Sequence, residues 1–201
     1  MPPFAWPTEY TKYQDVLRGT SARKCRLFAV AWCRKRGKEI TNPDCLTLIE
    51  TAEQYADRLV SRNLLRRHRR PVHDWAQAGW LTPGWEPSWA ATWAAWNAAH
   101  ERIVPPCPGY AHLDPKYADV ANEVFGNPAE PVAFSPDWRT STAIALARTM
   151  YESREFSAMP ILADALQDAG CDNDDILTHC RDVTLVHARG CWVVDLVLGK
   201  E

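Results

Sequence analysis

Apolar residues along most of this chain recur every three or four positions. That regularity decides the fold class, because a helix gathers such residues on one face whereas a strand alternates them. In "TSARKCRLFAVAWCRKRG", Leu27, Phe28, Ala31 and Trp32 form one stripe, with Thr20 or Ser21 placed to cap the helix and Gly37 to stop it. A second helix opens at Asn42 with Pro43 in its first turn, where a missing N–H costs nothing, and continues through Cys45, Ile49, Ala52, Ala56 and Leu59.

The same spacing reappears in the second half of the chain. Asp114 and Pro115 open a short helix through Val120 and Val124 that ends at Gly126, and Thr140 caps one carrying Ala143, Leu146, Ala147 and Met150. "SAMPILADALQDAG" is stopped by Gly170, and Asn173 caps a short helix to Arg181. In the terminal "RGCWVVDLVLG" the valines favour a strand, but Cys191, Val194 and Leu198 stand at helical spacing and the helix is preferred. The expectation is an all-α fold of roughly seven or eight helices. Phe28, Trp32, Ile49, Leu59, Leu146, Met150, Leu162 and Leu166 are expected on its buried faces.

At 201 residues, 46% of them hydrophobic, the chain can bury one core or two small ones. It reads as a single α-helical domain, 1–201, or as two halves, 1–104 and 113–201, joined by a Pro-rich connection. A formal charge of −2 gives no global attraction to nucleic acid or to an anionic membrane. The start has no secretory pattern and no apolar run suits a membrane span, so a cytoplasmic protein that binds no membrane is expected. Seven cysteines, several within apolar helical patterns, suggest reduced buried thiols and not a secreted disulfide framework.

Three constellations could carry chemistry. "SRNLLRRHRRPVHDW" concentrates Arg62, Arg66, Arg67, Arg69 and Arg70 before Pro71, which should end or kink the helix. Arginine's planar fork suits phosphate, so the run is a candidate phosphate or nucleic-acid patch; the alternative is a solvated helix end whose cations complement the dipole. Trp85, Trp89, Trp93 and Trp96 recur at four, four and three residues, which makes them either a core stripe or an aromatic interface.

The third lies in "CDNDDILTHCRDVTLVHARGC". Cys171, His179, Cys180, His187 and Cys191 are the residue types that zinc takes in a tetrahedron, yet their spacing fits no standard finger, ribbon or knuckle. On a helix His179 and Cys180 diverge by about 100°, so at most one of them should face a common centre. Packing of small thiols is the expected role, with a zinc site and a Cys171–Cys180 redox pair as alternatives.

Several strings also resemble a known family: "RKCRLFAVAWCRK", "AEQYAD", "FGNPAEPV", "PILADALQDAGCDNDDILTHCR" and "HARGCWVVDLVLGK". Together they are similar to an expanded family of planctomycete proteins of the Gemmata type, over about residues 18–201. The opening "WPTEYTKYQDVLRG" departs from that family in lacking its Cys-Asp-Pro element. The resemblance implies a kind of protein and no particular chemistry. No nucleophile elbow, His-Glu-x-x-His helix, phosphate loop or Cys-x-x-Cys element is present, and no catalytic residue is assigned. The expected function is a non-enzymatic helical protein-interaction module without a cofactor. The alternatives are a zinc-binding regulator or enzyme built on the C-terminal cluster, and a nucleic-acid binder using the arginines.

Overall fold

Ser21 begins the described structure's first helix, its Oγ accepting from the Lys24 N–H. The structure, a computed structural model, describes residues 19–35, 37–79 and 115–200. These contain eight α-helices, two short 3-10 turns and no strand, so the all-α expectation holds. In chain order the helices are α1 (Ala22–Lys35), α2 (Pro43–Ala56), α3 (Arg62–Gly79), α4 (Pro115–Phe125), α5 (Ser141–Ser153), α6 (Met159–Asp168), α7 (Asp174–Arg181) and α8 (Trp192–Leu198). The described residues fall into two compact units divided between Val120 and Ala121, inside α4. The Pro-rich connection, residues 105–112, lies outside the described residues.

In the first unit α2 packs against both α1 and α3. Leu27, Phe28, Trp32, Leu48 and Leu65 are fully buried, and Ile49 is buried beside them. Glu53, also buried, takes both arms of the Arg34 guanidinium at 3.3 and 3.0 Å, which offsets the cost of removing its charge from water.

One expectation fails here for a local reason, and another, an end or a kink at Pro71, is narrowed. Leu59 is 68% exposed, because α2 stops at Ala56 and Arg58 turns the chain with φ of 61°, so the helical spacing does not reach Leu59. Leu59→Ala should therefore change stability by no more than about 0.5 kcal/mol, measurable by urea unfolding. Pro71 does not end the helix, since α3 runs through it. Pro71 and Arg67, whose carbonyl loses its intrahelical donor, are both exposed to water, while Leu65 and Val72 anchor the opposite face in the core.

The second unit is built on α5–α8, with α7 and α8 each packed against neighbours in that set. Met150, Leu162 and Leu166 lie in its core and Leu146 packs half-buried against it. Caps follow the sequence: Thr140 accepts from the Ala143 N–H and Asn173 from the Ile176 N–H. Gly170, at φ of 87°, closes α6, and the next residue's amide, Cys171 N–H, donates to the Leu166 carbonyl at 2.9 Å. Where strand and helix competed, the terminal segment is helical from Trp192.

A candidate metal centre in the C-terminal unit

Four side chains from four places in the second unit meet at one point. Glu123 comes from the last turn of α4, His179 from α7, His187 from the loop after it, and Cys191 from the residue before α8. One donor atom from each lies within 4.8 Å of all the others. His187 Nδ1 is 3.0 Å from Glu123 Oε2, His179 Nε2 is 3.3 Å from the same oxygen, and His179 Nε2 is 3.2 Å from Cys191 Sγ. Ligands held tetrahedrally at 2.0 to 2.3 Å stand roughly 3.3 to 3.8 Å apart, so a zinc polyhedron needs the three close contacts to open slightly and the widest pairs, up to 4.8 Å, to draw in. It is nearly closed to water: the side chains of Glu123, His179 and His187 are 6%, 10% and 6% exposed, and Cys191 is fully buried.

The loop owes its shape to a few specific contacts. Asp182 Oδ1 accepts from the Thr184 N–H and hydroxyl, which tightens the turn leaving α7. Arg189 donates to the Tyr151 and Glu152 carbonyls, groups at the C-terminal end of α5 that no helical N–H can reach. Gly190 reverses the backbone with φ of 94°. Between them the Ala188 N–H donates to Glu123 Oε1 at 3.0 Å. One carboxylate oxygen is thereby fixed by the backbone, and the other is left for the cluster, the arrangement by which an outer hydrogen bond orients a metal ligand.

The electrostatics favour a cation. Burial pushes the Glu123 carboxyl up, but hydrogen bonds and charge from His179 and His187 outweigh it and bring the pKa down to about 2, so Glu123 stays ionised. Burial, and then the Glu123 charge, push the Cys191 thiol well above its usual range. A divalent ion would reverse that second effect by taking the thiolate as ligand. A dication bound in place of the histidines' protons, with one carboxylate, one thiolate and two imidazoles as ligands, would leave the buried site formally neutral.

The same atoms are not arranged as a nucleophile–base–carboxylate relay through His179. A catalytic base uses one ring nitrogen toward the nucleophile and the other toward its carboxylate. Here Cys191 Sγ and Glu123 Oε2 both approach Nε2 of His179. Nucleophilic cysteines are also activated by a lowered pKa, and that of Cys191 is raised.

Of the five residues expected from the sequence, the structure brings together His179, His187 and Cys191. Cys171 and Cys180 instead lie in the apolar core, and burial pushes Cys180 up to about 12. His179 and Cys180 do diverge around α7. His187 and Cys191 share no helix, because α8 begins only at Trp192. Glu123 escaped sequence reasoning: it stands 64 residues from His187, within an ordinary amphipathic pattern.

The other two constellations fare differently. Trp85, Trp89, Trp93 and Trp96 lie outside the described residues. Arg62, Arg66, Arg67 and Arg70 are exposed on α3 and Arg69 is half-buried. Arg62 opens that helix and the other four lie in its first half, away from its C-terminal end, so an explanation by cations that complement the dipole does not hold. Reversing charge at Arg66, Arg67, Arg69 and Arg70 should leave far-UV circular dichroism unchanged, because none of the four is buried.

No family model, curated protein or solved structure matches this chain. Among the described residues no helix is long and apolar enough to cross a membrane.

Proposed function

We propose that the C-terminal unit is a zinc-binding module, in which Glu123, His179, His187 and Cys191 hold the metal and the metal holds the fold. The observation that carries this reading is the convergence of one oxygen, two nitrogens and one sulfur within 4.8 Å in a nearly dry place. Mixed imidazole, carboxylate and thiolate donors suit zinc better than calcium or magnesium, which prefer all-oxygen shells. Four protein ligands also match a structural centre; catalytic zinc usually keeps three and leaves a position for water. The role is therefore a clasp that joins the end of α4, α7, the 182–190 loop and the start of α8 in a non-enzymatic helical scaffold.

Metal analysis of protein purified without chelator tests this directly. One zinc per chain is expected, with a lower unfolding temperature and a less cooperative transition after chelation. A metal-free protein whose unfolding is unchanged by added zinc would overturn the reading.

A further inference from the structure

We infer that Trp192 is a positioning residue for His179, and that Gly126 is the residue that leaves room for it; this rests on the zinc reading above. Trp192 directly follows Cys191, and its ring centroid lies 5.2 Å from that of His179, the planes tilted by 55°. The His179 ring also meets His187 edge-on at 5.0 Å. His179 thus has an aromatic neighbour on the ligand side and a second, Trp192, that is not a ligand.

Gly126 connects this contact to the helix bearing Glu123. It ends α4 at φ of 66°, and a Cβ built there would stand 3.2 Å from both Cγ and Cδ2 of Trp192. Such a distance forces one neighbour to give by a few tenths of an ångström. The indole is the neighbour in the way, and His179 leans on the indole. A binding constellation works only when the groups around it hold its side chains within about 0.5 Å of the productive geometry, so a displaced indole should be felt at the metal.

The glycines supply their own control. Gly170 and Gly199 also have positive φ, at 87° and 65°, but a Cβ at either meets nothing within 4 Å. Alanine at any of the three strains the backbone, and at Gly126 alone does it also press on Trp192.

Cobalt titration of the full-length metal-free chain reads the outcome, because the visible bands of bound cobalt report coordination geometry and thiolate ligation. Wild type is expected to bind one cobalt with a tetrahedral spectrum. Trp192→Ala and Gly126→Ala should weaken binding roughly 10- to 100-fold and alter the bands, the range found when groups that orient metal ligands are removed. Gly199→Ala and Gly170→Ala should keep the wild-type spectrum, and Trp192→Phe, which retains a ring, should stay within a few-fold of wild type. If Gly126→Ala does not fold, adding Trp192→Phe makes space and should restore cobalt binding.

Failure of wild type to bind cobalt or zinc would sink the zinc module itself. Wild-type affinity and bands in both Trp192→Ala and Gly126→Ala, with wild type loaded, would sink only the positioning role. That role also falls if Gly199→Ala disturbs the spectrum as much as Gly126→Ala does, since strain would then suffice.

Discussion

Glu123→Ala is expected to cost the C-terminal unit on the order of 3 to 5 kcal/mol and to abolish stoichiometric metal at the same time. The carboxylate is shared among His179, His187 and the Ala188 N–H, all of which the substitution leaves facing a void. Breaking a buried polar cluster by removing one member is costly because the partners cannot return to water. Zinc would lose its oxygen ligand, and the loop would lose the anchor at Ala188. Urea unfolding with and without chelator, alongside metal analysis, separates the two contributions. Chelator should lower the stability of wild type and leave that of Glu123→Ala almost unchanged. Glu123→Gln should recover part of the chelator-independent loss, because an amide oxygen can still accept from Ala188, but should not recover the metal site. Stoichiometric zinc in Glu123→Ala at wild-type stability would remove this residue from the centre.

The other large effect lies in the first unit. Trp32→Ala should destabilise it by about 3 to 5 kcal/mol, since the indole is among the largest fully buried side chains and its removal leaves a cavity that neighbours fill only in part. Phe28 and Leu27, both fully buried, belong to the same helix and have little freedom to move in. Denaturation followed by circular dichroism would show the loss as an earlier transition. It should be the same with chelator present, because no member of the metal cluster belongs to that unit. A loss below about 1 kcal/mol would mean that this face of α1 is not part of a tightly packed core.

These two sites differ in how far they can be read from the chain. Spacing alone places Trp32: a helix presents residues three and four apart on one side, and an apolar side must be buried. The same local physics finds the caps at Asn42, Thr140 and Asn173 and the stop at Gly170, where a side-chain oxygen or a glycine answers to its immediate neighbours. It fails at Leu59, because periodicity does not reveal that Arg58 takes a left-handed conformation and ends the register. At Pro71 it leaves an end and a kink both open, and only packing decides that a helix anchored by Leu65 and Val72 continues despite the lost hydrogen bond.

The metal centre shows the limit more sharply. His179, His187 and Cys191 can be named from their residue types, but so can Cys171 and Cys180, and spacing gives no means of choosing among them. The choice depends on which way the loop after α7 turns, and that is set by Arg189 reaching α5 and Ala188 reaching Glu123. Glu123 itself looks from the sequence like any acid on a short helix, and only packing buries it. Among the described residues, sequence by itself determined the helices, most of their ends and most of their buried faces, because hydrogen bonds and periodicity within a helix act over a few residues. Tertiary structure alone decided which polar groups share a dry centre, because convergence depends on distances between segments far apart in the chain.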